Sequence, residues 1–499
     1  MTGNKIELLR IIDFGSRVAE EETDVLSSYF VETDHWGRLY RGEIDIIYGP
    51  KGSGKSALYS LLLSRSNELF DRNILLIAAE NPRGATAFKD LATDPPASEQ
   101  EFVSLWKLYF ASLLHGVLAD YGIKNNSSKQ LEDALAREGL TKGNASLTVL
   151  LHKVLVYVRD ALRPQAVEGA VELDSVTQLP KGFRGKIIFT ELGKVGIDPE
   201  LRSIDHLLEL ANEALAQAKF KTWILLDRLD IAFTDHPNLE ANALRALFRV
   251  YLNLHAFQNL RLKIFLRTDI WTQLTTAGFR EASHITRHLT ISWNDNSLLN
   301  LVIRRALHNE ALRNYYTVSE DLSRQVVSLQ EQLFYRMCSK QVDVGPNKSS
   351  TFDWLLSRTR DGTKSNAPRE LIHFLNALRE VQIRRLETAE TEPEDEQLFA
   401  RPSFKDALLT VSKVRLEQTL YAEYSTYRDW IEKLRGAKTL HTPESLAEIW
   451  GVTSDIAIMQ ANKLAGIGFF EQRGERQSPE YWVPFLYRDA LDLVQGSAE

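Results

Sequence analysis

Short apolar runs closed by polar or glycine residues alternate, in the first half of the chain, with longer segments whose apolar positions recur at helical spacing. Ile44 to Tyr48, Asn73 to Ala79, Phe220 to Leu226 and Leu262 to Leu266 read as buried strands. Between them, Ala57 to Leu63, Glu99 to Tyr121, 145–163, 201–218 and 238–256 read as helices. In Glu99 to Tyr121 the residues Phe102, Leu105, Trp106, Tyr109, Phe110, Leu113 and Leu114 fall on one helical face. Apolar strands that alternate with helices predict a parallel sheet covered on both faces. The stretch 164–197 breaks the pattern; it reads as an inserted loop with one further strand over Gly185 to Phe189. Residues 296–386 read as helical throughout.

The C-terminal pattern differs. Pro443 to Trp450 and Ser454 to Ala465 read as two helices joined by a turn at Gly451. A hairpin follows from Gly466 to Phe470 across Gly474, returning over Tyr481 to Val483. Helix, helix, ribbon is the order of a winged helix. Glu387 to Glu396 is acidic and contains proline, the composition of a solvated linker. The chain is therefore expected to divide into an N-terminal helical segment 1–42, a core 43–295 with a helical insertion at about 89–219, a helical lid 296–386, an acidic linker 387–400 and a winged-helix domain 401–499. At 499 residues this suits about three domains.

The turn between the first strand and its helix carries the chemistry. Gly49, Pro50, Lys51, Gly52, Ser53, Gly54, Lys55 and Ser56 match the phosphate-binding loop G-x-x-x-x-G-K-[ST] at every fixed position, with Ala57 following. The glycines let backbone N–H groups turn toward phosphate oxygens, and the new helix adds its positive end. Lys55 is expected to reach the β- and γ-phosphates and Ser56 to ligate Mg²⁺. The ligand expected is ATP or GTP.

A P-loop site needs an acid at the end of a neighbouring strand to hold the Mg²⁺ shell, and Asp227 follows Leu226 in that place. Hydrolysing relatives carry a water-activating glutamate next; here it is Arg228. Asp230 and Glu80 are the other candidate bases, and the missing glutamate predicts slow hydrolysis or hydrolysis completed only in an assembly. Thr268 or Asp269 closes the Leu262–Leu266 strand where a polar group can meet the γ-phosphate. Arg280 and Arg287 are candidates for a finger reaching a neighbouring subunit. Arg369 stands in the first turn of a helix opened by Pro368, suited to reach back to the γ-phosphate. In 1–42, Tyr29, Phe30, His35, Trp36 and Tyr40 either pack on the base or cap the core.

Composition narrows the partners. Sixty basic and 67 acidic residues leave a charge of -7, unlike a chain that coats nucleic acid. Over 440–499 four basic residues face nine acidic ones, a poor footprint for phosphate contacts, so this module is read as docking a protein in preference to DNA. The lone cysteine, Cys338, allows no intramolecular disulfide and no cysteine-based zinc site. No membrane partner is expected and no signal peptide is read, so the cytoplasm is the default location.

Together these residues resemble the AAA+ and STAND branch of P-loop ATPases, near the origin-recognition type with a winged-helix tail. More narrowly, Phe14-Gly15, Ala19 to Glu22, Tyr29 to Thr33, Tyr48 to Ser56 and Leu226 to Asp230 look like a bacterial P-loop ATPase family whose members often lie among phage-defence genes. The likeness covers most of the chain. It implies an α/β, parallel-sheet, AAA+-like ATPase core with ATP and Mg²⁺ as ligands. It implies that Lys55 and Ser56 bind nucleotide and metal, that Asp227 is the Walker B acid, that Asn81 ends the second strand and that Arg369 is the lid sensor. It also implies a homo-oligomeric switch or scaffold acting on a separate effector protein, in antiviral defence. An initiator-like ATPase loading onto DNA through the winged helix is the alternative.

Overall fold

The computed structural model describes residues 5–18, 21–22, 25–81, 86–88, 91, 95–96, 98–162, 203–229, 237–475 and 478–498. The chain forms two compact units, one of Met1–Asp34, Gly49–Ala57 and Ile291–Glu499, the other of His35–Tyr48 and Leu58–Thr290. The expected strand at 185–189 and the inserted loop around it lie outside the described residues.

The second unit is built on a five-stranded sheet: β1 (Ile46–Gly49), β2 (Ile74–Ala78), β3 (Lys221–Leu226), β4 (Leu260–Arg267) and β5 (His288–Thr290), in the order β2-β3-β4-β1-β5. The pairs are parallel, with Ile46 beside His288, Ala78 beside Leu225 and Leu226 beside Ile264. The strands are apolar on both faces because helices cover both, so no alternation survives in the sequence. Helix Glu99–Asp120 is long and apolar enough to cross a bilayer by length and composition, but 83% of its most apolar window is buried inside the protein. Trp106 Nε1 donates to Ala243 O at 3.0 Å, and Tyr109 Oη donates to Ala79 O at 2.8 Å. These two bonds tie that helix to helix Pro237–Leu254 and to the end of β2.

One charged cluster is sunk into this sheet. Asp45, just before β1, accepts from Lys263 Nζ at 2.8 Å and from Arg287 Nε at 2.6 Å. Lys263 and Asp45 have fully buried side chains, whereas Arg287 is 38% exposed. Lys263 also donates to Ile44 O and lies 4.4 Å from the Trp223 ring centroid. Asp45 thus cross-links β1 to β4 and to the entry of β5.

In the first unit an apolar core runs from Leu8 and Leu9 through helices Asp295–His308, Thr351–Thr359 and Pro368–Glu387 to Phe469, Tyr481 and Tyr487. The helices are interrupted more often than the periodicity suggests, with a 3₁₀ turn at Glu320–Arg324 and extended chain after Cys338. The acidic stretch is not wholly solvated. Leu398 and Phe399 are buried, Phe399 bridges to Cys338, and Lys5 donates to the carbonyls of Pro393 and Asp395 at 2.6 and 2.8 Å. Helix Arg401–Val414 then continues into a π-helical turn, Arg415–Tyr421.

The C-terminal strands β6 (Lys438–His441), β7 (Glu471–Glu475), β8 (Ser478–Trp482) and β9 (Val494–Ser497) form a sheet in the order β7-β8-β6-β9. Two helices enter between β6 and β7. The first, Pro443–Trp450, starts with a Thr442/Ser445 capping box and Pro443 at its first position, and ends at Gly451 with φ +70°. Those are start and stop signals of known physical origin. The second, Ser454–Gly466, and the β7–β8 hairpin match the expected order; β6 and β9 are additional.

Near the N-terminus, Phe14, Gly15 and Glu22 are held by the helices of the same unit. Glu22 and Arg305 form an ion pair at 2.8 Å, both 5% exposed, and Arg305 Nη1 donates to Phe14 O at 2.6 Å. Asn376 Nδ2 donates to Gly15 O at 2.7 Å. Gly15 has φ +82°, and a Cβ there would lie 2.0 Å from Glu22 Oε1, so only glycine fits.

Candidate functional site

The phosphate-binding loop leaves β1 at Gly49 and ends in helix Lys55–Ser64. Gly52 and Gly54 have φ of +78° and +101°, the left-handed conformations that aim successive backbone N–H groups to one side. Ser53 N donates to Pro50 O at 3.2 Å and closes the turn. A Cβ at Gly49 would stand 2.3 Å from Ser53 Oγ, and one at Gly52 would stand 3.0 Å from Arg369 Cβ. Lys55 Nζ donates to Gly49 O and Pro50 O at 2.8 and 3.0 Å, so the ammonium points into the loop. Ser56 is the second residue of the helix, and Ala57 follows it.

Three side chains of the same unit brace the loop. Trp293 Nε1 donates to Ser53 O at 2.9 Å. Arg369, second in helix Pro368–Glu387, lies with its backbone N 3.4 Å from Gly52 O and its Nε 3.3 Å from Arg17 O. Arg369 thus lies beside the loop. Lys51 pairs with Glu423, just beyond the π-helical turn. Trp293 and Glu423 were not legible beforehand, since neither stands in a motif and Glu423 lies far along the chain from Lys51.

The strand ends of the other unit carry the remaining candidates. In the sheet order β4 lies between β1 and β3, so Thr268, at the end of β4, stands between the exits of those two strands. Ligands of parallel α/β sheets bind at this carboxyl edge. Asp227 follows β3 and is 4% exposed. Arg228 takes φ +58°, a left-handed conformation that costs a non-glycine residue about 1–2 kcal/mol. Its guanidinium turns to Asn81 O at 3.2 Å. Asp230 lies outside the described residues.

Thr268 and Asp269 separate clearly. Asp269 is held by its neighbour Arg267, with Nη2 to Oδ2 at 2.7 Å and Nε to Oδ1 at 3.1 Å. Thr268 Oγ1 is buried without a hydrogen-bond partner among the described residues. Arg280 is exposed at the start of a 3₁₀ turn, Arg280–His284. Arg287 is committed to Asp45 and Gly42 O inside its own unit, so the expectation of a finger does not fit its surroundings. A finger needs a guanidinium that can leave its own chain, and this one neutralises a buried carboxylate.

Glu80 is fully buried two residues beyond β2. Its Oε2 accepts from Thr86 Oγ1 at 3.0 Å and its Oε1 from Ala87 N at 3.0 Å. Burial pushes its carboxyl up to about 7 from an ordinary 4.5, against the opposing pull of those hydrogen bonds. A value near neutrality suits a general base, but both oxygens are already engaged by the 86–87 turn. The folded state holds this proton more tightly than the unfolded chain, so the stability it contributes is complete below pH 4.5 and is lost as the pH rises through about 7. Glu80→Gln is expected to remove that slope. Wild type should lose up to about 3 kcal/mol relative to the variant between about pH 5 and 8. Parallel urea midpoints across that range would refute the assignment.

The residues of the loop suit a nucleoside triphosphate on structural grounds. Within the first unit the loop has two left-handed glycines, an inward-pointing lysine and a buried Ser53 Oγ without a hydrogen-bond partner among the described residues. The Ser56 hydroxyl in the first unit and, separately, the Asp227 carboxylate in the second are hard oxygens of the kind Mg²⁺ takes.

No protein-family model matches the chain, and no curated protein matches its sequence. Among solved structures it is similar to the ORC1 protein of Aeropyrum pernix in complex with DNA, with TM-score 0.37, 12% identity and coverage of 96% of each chain. It is also similar to the ORC2 protein of Aeropyrum pernix in its ADPNP–ADP complexes, with TM-score 0.30, 12% identity and coverage of 97% of this chain and 94% of that one. The ADP form of that ORC2 protein gives the same score and identity, with coverage of 97% and 95%. At these scores the likeness carries no argument, and the functional reading rests on the residues themselves.

Proposed function

We propose that this chain is a Mg²⁺-dependent ATPase of slow intrinsic turnover, of AAA+/STAND-like kind. In this reading it works as an oligomeric switch or scaffold for a separate effector protein, in bacterial antiviral defence. The observation that carries the ATPase reading is the P-loop geometry, with Lys55 turned inward and Arg369 packed against Gly52. In this reading Lys55 and the loop N–H groups hold the β- and γ-phosphates, while Ser56 and Asp227 hold the ion. Mg²⁺, when bound, supplies the positive charge that bridges phosphate oxygens. Thr268 orients the water or the γ-phosphate, and Arg369 reads the γ-phosphate from the lid. Asp227→Ala is the change that removes metal-dependent binding. Arg228 stands where a base would be, from which slow hydrolysis is expected; Glu80 and Asp230 remain the candidate bases. Arg280, exposed, is the better of the two candidates for a finger offered to a neighbouring copy.

The C-terminal module supports a protein partner more than DNA. If it is a winged helix, helix Ser454–Gly466 is its reading helix. That helix exposes Ile456 (40%), Met459 (48%) and the single cation Lys463. Of the other described cations in 440–499, Arg488 is buried against Trp482 and Phe485, and Arg473 pairs with Glu471 at 2.8 Å. Counterion release has little to draw on here. The helix–helix–hairpin order is what favours the second reading, an initiator-like ATPase on DNA.

Mass by light scattering, with and without a non-hydrolysable ATP analogue, is expected to show nucleotide-dependent assembly. Duplex DNA titrated at two salt concentrations should bind weakly. A strict monomer in every nucleotide state, with tight salt-dependent DNA binding lost on deleting 440–499, would reverse the ranking.

A further inference from the structure

We propose that the π-helical turn Arg415–Tyr421 couples the phosphate-binding loop to the β7–β8 hairpin, so that ATP in the loop shifts the hairpin. This rests on the ATP reading above. π-Turns hold one residue too many for an α-helix, and they concentrate at functional places. Here the turn and the residues just after it reach the nucleotide loop by three routes. Glu423 pairs with Lys51 of the loop itself. Gln418 Oε1 accepts from Arg17 Nη2 at 2.8 Å, and Arg17 O accepts from Arg369 Nε at 3.3 Å. Arg415 Nη1 donates to Glu370 Oε1 at 2.9 Å, and Glu370 is the residue next to Arg369.

The same arginine reaches the other way. Arg415 lies 3.6 Å from Asp361 Oδ2, and the side chains of Arg415, Glu370 and Asp361 are 8, 5 and 16% exposed. The Asp361 loop is latched to the hairpin: Gly362 N donates to Gly468 O at 2.7 Å, and a Cβ at Gly362 would lie 2.1 Å from Phe470 O. Lys364 pairs with Glu471, the first residue of β7, at 3.5 Å.

A buried ionic cluster of this kind does not stretch. Separating one partner leaves an uncompensated charge, a strongly unfavourable state. A displacement of Arg369 toward a γ-phosphate is therefore passed through Glu370 and Arg415 to the Asp361 loop. Phosphate charge arriving at the loop also competes with Glu423 for Lys51. Both effects act on the same turn.

Hydrogen–deuterium exchange on the full chain tests this, with Mg²⁺ and a non-hydrolysable ATP analogue. Wild type should gain protection over Gly49–Ala57 and change its exchange over β7 and β8. Glu423→Gln keeps the shape and removes the charge. Read at saturating analogue, its β7–β8 response should fall by about fivefold or more while Gly49–Ala57 is still protected. Arg415→Lys keeps the buried charge but loses the fork that bridges Glu370 and Asp361, and should weaken the response in the same direction. A β7–β8 response unchanged in both variants would overturn the coupling, as would a wild type that protects the loop without moving the hairpin. No protection of Gly49–Ala57 in wild type would instead overturn the ATP reading, and the coupling with it.

Discussion

Lys55→Ala is expected to weaken Mg²⁺–ATP binding by about a hundredfold or more while leaving the fold intact. The ammonium of Lys55 is aimed into the loop by Gly49 O and Pro50 O, so it is the charge best placed to meet the β- and γ-phosphates. Removing one partner of a desolvated charge pair costs about 2–5 kcal/mol, and each 1.4 kcal/mol is about tenfold in affinity. Lys55 is partly exposed, so the loss should fall mainly on the ligand. Titration calorimetry with Mg²⁺ reads the change, and circular dichroism checks the fold. Affinity within about threefold of wild type would remove the phosphate role from this loop.

The largest effect on stability is expected from Asp45→Ala. The carboxylate is fully buried between Lys263 and Arg287, and its loss strands the Lys263 ammonium inside the sheet. Breaking a buried pair from one side costs about 3–5 kcal/mol. Arg287→Ala should cost much less, because its side chain is 38% exposed and water replaces part of the interaction. The double change Asp45→Leu with Lys263→Met should recover most of the loss, since an apolar pair of similar volume needs no counter-charge. Burial pushes Lys263 down to about 8 from an ordinary 10.5, even with Asp45 opposing. The unfolded chain therefore holds the proton more tightly, and stability gained at Lys263 rises with pH between those values. Without Asp45 that rise should begin at lower pH. Because the chain has two units, exchange of β1 and β4 amides is the sounder readout than one global transition. Equal exchange in wild type and Asp45→Ala would refute the account.

The parts of this protein legible in its sequence are those whose signal is local. The P-loop announces itself by fixed spacing, and Asp227 and Thr268 by ending apolar runs. Arg369 follows Pro368 at a helix start, and the C-terminal helices carry Thr442, Pro443 and Gly451 at their ends. What escaped is what depends on distant partners. Nothing local to Arg287 reveals that Asp45 holds it, so it reads as an available surface arginine. Glu22 stands in an acidic run with nothing local that points to Arg305, which it meets in the core. The order of the strands was equally silent, because periodicity records that a strand is buried and not which neighbour it chooses. The acidic stretch after Glu387 misled through its charge, since Leu398 and Phe399, which anchor it, lie at its far end.

The clasp between Glu22 and Arg305 also sets a timetable. Its two ends lie 283 residues apart, and a ribosome adds about 5–20 residues each second. Phe14, Gly15 and Glu22 are therefore synthesised about 15–60 s before the arginine that receives them. During that interval the P-loop, which belongs to the same unit, also lacks Trp293, Arg369 and Glu423 as partners. The phosphate-binding loop is translated early and completed late, so a nascent chain should acquire its ligand only after helix Pro368–Glu387 and Glu423 have emerged.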